Sequence, residues 1–114
     1  MSCKHDMTTI VKPMNEAVDA EYNRAASIHG KTFASVHEGY GVISEELQEA
    51  VTEVERAQAV MYHLLKAIHR EDQQTVCDYA DRIRDTVVNG AAELVQVAAM
   101  CRKMAATLQD GENP

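Results

Sequence analysis

Residues 76–108, VCDYADRIRDTVVNGAAELVQVAAMCRKMAATL, decide the fold class of this chain. Small or apolar residues recur there at alternating steps of four and three, at Val76, Ala80, Ile83, Val87, Gly90, Leu94, Val97, Cys101, Met104 and Leu108. This spacing is a heptad pattern, and it predicts one long helix that packs along a second helix.

A second long helix is predicted before it. Ser35-Val-His-Glu38 has the pattern of a capping box, in which the Ser35 hydroxyl accepts a hydrogen bond from the amide of residue 38 and Glu38 reaches back. Apolar residues then recur at helical spacing from Tyr40 to Ile68. We expect a turn at about residues 69–73, so the two long helices form a hairpin.

A shorter helix is predicted over residues 14–29. Pro13 suits the first position of a helix, and Gly30 is able to end one in a left-handed conformation. Prolines occur only at positions 13 and 114, which leaves too few turn residues for a β-sandwich or barrel. The fold class is therefore all-α, with residues 1–114 as a single helical domain and residues 1–12 and 109–114 as frayed tails.

The lengths of the two long helices predict an oligomer. Each spans about 50 Å at roughly 1.5 Å per residue, so an elongated hairpin with one shorter N-terminal helix beside it buries little surface per residue. A symmetric assembly solves this problem. We expect a homodimer or homotetramer that forms a four-helix-type bundle.

Charge and composition exclude several classes of partner and location. The net charge of −7, from 11 basic and 18 acidic residues, argues against binding to nucleic acid, which needs a basic surface. No stretch approaches the roughly 20 apolar residues that a membrane span needs. The N-terminus has no apolar signal core, and the three cysteines lack paired spacing. These features favour a reducing cytoplasm without membrane attachment.

Glutamates are crowded where basic residues are missing. No Lys or Arg occurs between Lys31 and Arg56, and Glu45, Glu49 and Glu53 follow one another at steps of four. Such like-charged pairs destabilise a helix by roughly 0.2–0.5 kcal/mol each unless a cation lies among them. A solvated helix face is the ordinary interpretation of this pattern, and a metal site is the alternative.

A second unusual acid lies far along the chain. Residues 90–101 are apolar nearly all round, and Glu93 is their only charge, with Gln96 as the other long polar side chain. A hairpin tip near residue 71 places Glu49 level with Glu93, and Glu46 level with Gln96. Converging carboxylates in a partly buried place form a site for a hard cation, of which Mg²⁺ is the usual occupant.

These two segments match known motifs. Glu45-Glu46-Leu-Gln-Glu49 followed by Glu93-Leu-Val-Gln96 resembles the EExxE and ExxD motifs of the MazG-like all-α nucleoside triphosphate pyrophosphohydrolases. Residues 29–40, HGKTFASVHEGY, look like the entry to the first motif in phage- and prophage-type members. Residues 91–100 look like the helix of the second motif, and the resemblance runs from about residue 18 to residue 104.

The resemblance implies an oligomeric helical bundle that hydrolyses (d)NTP to (d)NMP and pyrophosphate. It implies that Mg²⁺ is held at the motif positions, which are Glu45, Glu46, Glu49, Glu93 and Gln96 here. One acid, either Glu46 or Glu49, would orient and deprotonate the attacking water. Gln96 departs from the motif aspartate, because an amide offers an oxygen without a charge.

Three further residues are candidates for contact with the substrate. Lys103 lies about 20° from Gln96 around the helix, where it could meet a phosphate, although a lysine near a helix end also complements the helix dipole. Lys31 could play the same role, with ordinary surface charge as the alternative. His37 lies in the first turn of the second helix, where a surface role competes with ligand binding.

Three functions therefore remain open from the sequence. The first is a Mg²⁺-dependent nucleotide pyrophosphohydrolase. The second is a non-catalytic helical oligomer that binds nucleotide or a protein partner, which the glutamine at position 96 favours. The third is a coiled-coil interaction protein, in which the acids form a solvated surface and the heptad pattern of the third helix mediates the interaction.

Overall fold

A computed structural model of the chain describes residues 8–112, with side chains over residues 9–109. It contains three helices, α1 (Thr8–His29), α2 (Val36–His69) and α3 (Gln73–Glu112). No strand occurs within the described residues. The all-α prediction is confirmed.

The link between α1 and α2 follows the local signals in the sequence. Gly30 has a φ of 92°, in the left-handed region, and its N–H donates to the carbonyl of Ala26 at 3.0 Å. The N–H of Glu38 donates to Ser35 Oγ at 3.1 Å, which is the bond that the capping box predicts. The end of α1 and the start of α2 are thus both fixed by residues of the link itself.

The turn between α2 and α3 lies at residues 70–72, within the predicted range. Helix α2 ends in a Schellman motif, in which Glu71 N–H donates to the Ile68 carbonyl and Asp72 N–H to the Ala67 carbonyl. Glu71 adopts a φ of 55°, a position that glycine usually takes. The Asp72 carboxylate then accepts the backbone N–H and the hydroxyl of Thr75, which caps α3.

Two predicted helix boundaries are wrong. Helix α1 begins at Thr8 instead of residue 14, so Pro13 lies inside the helix, although it has no amide hydrogen to donate. Helix α3 continues to Glu112, beyond the predicted start of the C-terminal tail. Residues 8–12 and 109–112 are therefore helical, whereas residues 1–7 and 113–114 lie outside the described part of the chain.

The chain divides into two compact units. Ser44–Leu94 form one of them, hereafter the hairpin unit, which contains most of α2 and the first half of α3. The other, hereafter the terminal unit, contains the described residues up to Ile43 together with those from Val95 onward. Each unit is described by itself.

Phe33 is a large buried side chain of the terminal unit. Its ring is buried, and its N–H donates to Thr107 Oγ1 at 2.8 Å, which ties the α1–α2 link to α3. Lys103 is a buried residue, and its ammonium lies over the ring, 4.6 Å from the centroid. Gly39 packs so closely against this group that an added Cβ would lie 2.7 Å from the Met104 methyl and 2.8 Å from the Phe33 ring.

The hairpin unit is built on small residues. Helix α2 contributes four buried hydrophobic residues, which are Ala50, Ala57, Val60 and Ala67. On α3, Gly90 is buried, and a Cβ there would lie 3.4 Å from the Glu53 Cβ, already in van der Waals contact. The absence of large side chains at these positions lets the two helices approach closely.

The large apolar residues of α2 lie outside this contact. They form a seam with steps of four, three and seven residues, and each is 41–52% exposed: Leu47, Val51, Val54, Met61, Leu65 and Ile68. We call this set the apolar seam. Leu94 of α3 lies beside it and helps to line a shallow groove with Leu47, Val51 and Val54. The apolar seam of α2 is therefore exposed enough to pack against a further apolar surface.

Two glycines of α2 should respond oppositely to alanine. The Cβ that Gly41→Ala adds has no atom within 4 Å. We therefore expect this substitution to raise the free energy of unfolding by roughly 0.5–1 kcal/mol, because alanine has the higher helix propensity. Gly39→Ala should lower this free energy, because the Phe33 ring or Met104 must shift, which typically costs roughly 1–3 kcal/mol. Urea unfolding of both variants measures the difference. Equal stabilities would show that the packing around Phe33 is looser than described.

Candidate metal centre

Three carboxylates from distant parts of the sequence meet in the hairpin unit. Glu46 and Glu49 lie at i and i+3 on α2, which places them on one face of the helix. Glu93 projects from α3. One carboxylate oxygen from each of the three lies within 4.8 Å of the others, a spacing that could hold a metal ion. We call these residues the acidic triad.

The close contact between α2 and α3 creates this cluster. Gly90 lies one helical turn before Glu93 and is packed against Glu53, one turn after Glu49. The antiparallel arrangement therefore brings Glu93 to the level of Glu49, as the predicted register requires. Glu46 and Glu93 are half-buried, whereas Glu49 is exposed.

The proximity of the acids perturbs the ionisation of Glu46. Burial raises the pKa of its carboxyl, and the charges of Glu49 and Glu93, a side-chain hydrogen bond with Glu93 and the charge of Glu45 raise this pKa further. Two carboxyl groups share a hydrogen bond only when one of them carries a proton. A cation among the three oxygens would replace that proton and remove the repulsion.

The donor set fits a hard divalent cation. Carboxylate oxygens are the ligands that Mg²⁺ and Ca²⁺ prefer, and Mg²⁺ usually takes a few of them and keeps several waters. A cation held by these three carboxylates, one of which is exposed, would keep other coordination positions for solvent or a ligand. Such open positions suit a site in which substrate oxygens complete the coordination.

Two other predicted ligands have different positions. Glu45 is exposed on α2 and lies outside the acidic triad, although its charge contributes to the raised pKa of Glu46. Gln96 is half-buried on α3 and belongs to the terminal unit. The structure therefore brings together three of the five residues that the sequence predicts as ligands.

The three predicted substrate contacts all lie in the terminal unit. Lys103 is buried against Phe33, which gives its side chain a packing role that the sequence did not indicate. Lys31 is exposed in the link after α1, and its carbonyl accepts a long hydrogen bond from Tyr22, 3.5 Å between the oxygens. His37 is exposed in the first turn of α2.

A basic cleft in the hairpin unit was missed by the sequence analysis. It has a volume of about 380 Å³ and is lined by Arg56, Ala59, Val60, His63, Arg82 and Thr86. The available signal was spacing, because Arg56 follows Glu49 by seven residues and Thr86 precedes Glu93 by seven. Residues seven apart lie on nearly the same side of a helix.

No known protein family model matches this chain, and neither curated protein sequences nor solved structures show a significant match to it. Within the described residues, no helix is both long and apolar enough to cross a lipid bilayer.

The raised pKa of Glu46 predicts how stability changes with pH when divalent cations are absent. The folded chain holds the Glu46 proton more tightly than the unfolded chain, so the contribution of Glu46 to the free energy of unfolding falls as the pH rises from 4.5, the ordinary pKa of a glutamate, through the raised pKa of the folded chain. Glu46→Gln should therefore be more stable than the wild type near neutral pH, and this advantage should vanish toward about pH 4.

Urea unfolding of both proteins over this pH range is the measurement. Glu55→Gln is the matched control, because it removes one exposed carboxylate from the same helix outside the acidic triad. Its stability relative to the wild type should change little with pH. A Glu46→Gln advantage that stays constant with pH, or grows in acid, would contradict the assigned electrostatics.

Proposed function

We propose that this protein hydrolyses nucleoside triphosphates to the monophosphate and pyrophosphate in a Mg²⁺-dependent reaction. The observation that carries the proposal is the convergence of Glu46, Glu49 and Glu93 from two segments more than forty residues apart in sequence. Those segments are also the ones that resemble the MazG-like motifs. The proposal places the protein in the cytoplasm, where nucleoside triphosphates are available.

The acidic triad would hold the metal in this proposal. Glu46 and Glu93 supply half-buried carboxylates, and Glu49 supplies one at the exposed side, where a triphosphate has access. Glu45 and Gln96 stay predicted ligands from the motif resemblance. When bound, Mg²⁺ would supply compensation for the negative charge that develops on the departing pyrophosphate.

The residues of the chain would provide a base for the attacking water. Water adds its oxygen to the α-phosphorus, and the bond from that phosphorus to the bridging oxygen of the β-phosphate breaks, so that pyrophosphate leaves with the bonding electrons. The water proton passes to a carboxylate oxygen of Glu46 or Glu49. Both carboxylates belong to the acidic triad, so either is placed beside the metal-bound triphosphate in this proposal.

We further propose that the chain forms a homodimer through the apolar seam, the simplest assembly that completes a four-helix-type bundle; a homotetramer would repeat the contact. No large side chain is fully buried within the described residues, while six large residues of the seam are about half exposed. Each such side chain gains roughly 1 kcal/mol or more when its exposed half is covered. The heptad spacing of the seam suits a second helix of the same kind.

Thermal melting with and without Mg²⁺ tests the metal site. We expect Mg²⁺ to raise the Tm of the wild type, because a ligand that binds only the folded state stabilises it. Glu49→Gln should lose this increase and should lower pyrophosphate release from a panel of dNTPs by about 100-fold or more. Glu55→Gln should retain both, since it makes the same charge change on the same helix.

The outcomes separate the three functions that the sequence leaves open. A Tm increase with turnover supports the hydrolase. A Tm increase without turnover on any dNTP would replace it with the non-catalytic nucleotide-binding or partner-binding oligomer. No Tm increase, together with unchanged behaviour of Glu49→Gln, would leave the acids as a solvated surface on a coiled-coil protein.

The dimer is tested by a charge placed in the apolar seam. Val51→Glu should convert a dimeric wild type to monomer, because a buried unpaired carboxylate opposes association. Val88→Glu is the matched control, since Val88 is 60% exposed on α3 outside the seam and should tolerate the change. Sedimentation equilibrium gives the masses. A monomeric wild type, or a Val51→Glu protein that stays dimeric, would contradict the assignment.

A further inference from the structure

The hairpin unit carries a second polar feature besides the acidic triad. This is the cleft of about 380 Å³ between α2 and α3, whose polar lining residues are Arg56 and His63 of α2 and Arg82 and Thr86 of α3. Buried Val60 also contributes to its lining. We call it the basic cleft.

The charges of the basic cleft are only partly compensated. Arg56 pairs with Glu53, with 2.6 Å between nitrogen and oxygen. Arg82 makes no ion pair with any carboxylate of the described residues, whereas its neighbour Arg84 pairs with Asp81 and Asp85. Arg82 is exposed, so its guanidinium is open to an anion from solvent.

Aromatic stacking helps to position the third basic side chain. The His63 ring stacks on Tyr79 of α3, with 5.8 Å between the centroids and 24° between the planes. Tyr62 meets the same imidazole edge-on at 5.7 Å. These contacts restrict the imidazole at the wall of the cleft, which lowers the entropy lost when it donates to a ligand.

The basic cleft and the acidic triad lie along the same side of the hairpin. Glu49, Arg56 and His63 are spaced by seven residues on α2, and Glu93, Thr86 and Tyr79 are spaced by seven on α3. Seven residues advance a helix by about 10.5 Å and rotate it by only about 20°. The basic groups thus begin two helical turns from the acids, so the two sets of charges are separate along the helices.

We propose that the basic cleft binds a phosphate oxyanion of the pyrophosphate class. Guanidinium groups pair with phosphate oxygens through two parallel hydrogen bonds, and two of them with one imidazole offer more donors than a single carboxylate accepts. Thr86 lines the wall, with its hydroxyl donating to the Arg82 carbonyl at 2.8 Å. Binding requires no metal, so this inference does not depend on the proposed hydrolase activity.

Calorimetric titration with inorganic pyrophosphate, in buffer freed of divalent ions by a chelating resin, tests the cleft. The wild type should bind, and Arg82→Gln should weaken binding by about tenfold or more, the effect of one lost charge-assisted contact. Arg84→Gln is the matched control, because it removes the same charge two residues away, from a side chain already paired with Asp81 and Asp85. It should bind pyrophosphate as the wild type does.

Two further measurements make the outcome decisive. Pyrophosphate should shift the NMR signals of the His63 ring in the wild type, and Arg82→Gln, whose fold is checked by circular dichroism, should need about tenfold more pyrophosphate or higher for the same shift. Malonate, a dicarboxylate, should bind at least about tenfold more weakly than pyrophosphate. Absence of pyrophosphate binding to the wild type, equal loss in Arg82→Gln and Arg84→Gln, or equal affinity for malonate would each overturn the proposal.

The acidic triad gives an independent comparison. The Glu49→Gln protein should still bind pyrophosphate in the absence of metal, because position 49 lies two helical turns from Arg56. The substitution also removes a negative charge that would repel the anion. If Glu49→Gln abolishes the Mg²⁺ effect on Tm while pyrophosphate fails to bind, the cleft assignment fails and the metal site stands. If pyrophosphate binds while Mg²⁺ does not change the Tm of the wild type, the metal site fails and the cleft assignment stands.

Discussion

The close approach of α2 and α3 is the constraint on which the hairpin unit depends. It requires small residues at the contact, and Ala50, Ala57 and Gly90 supply them. With the helices this close, side chains at the edge of the contact are forced toward one another. For Glu46 and Glu93, the result is a pair of carboxyl groups within hydrogen-bonding distance, an arrangement that costs stability unless a positive charge relieves it.

A proton and a divalent cation relieve that repulsion in competing ways. A proton shared in the hydrogen bond between Glu46 and Glu93 relieves the repulsion between these two residues. A divalent cation is able to contact one oxygen from each of the three residues, which lie within 4.8 Å of one another. A bound divalent cation would compensate more charge than the proton does, so it would stabilise packing that is unfavourable in the chain without the ion.

The sequence predicts those features that local chemistry determines. Gly30, Ser35 and the turn after His69 mark the helix ends, and the position of that turn sets the register that brings Glu49 beside Glu93. Pro13 gives a wrong start for α1, because the preference of proline for the first helical position is only statistical. Residues 8–12 before it are already helical. Spacing also shows that the large residues of α2 share a stripe, but it does not reveal that alanines take the buried positions.

The sequence does not predict the basic cleft, because the cleft depends on how α2 is rotated against α3. Arg56 and Arg82 are unremarkable on separate helices, and only the rotation of α2 against α3 brings both to one cleft. That rotation places the acids and arginines on one side of the contact and the apolar seam on the other, since Glu49 and Val51 are about 200° apart around α2. A second copy that covers the seam would therefore leave the charged side open to an anion or a metal-bound substrate. The proposed association and the proposed ligand binding would use different sides of the same helix pair, so neither would obstruct the other.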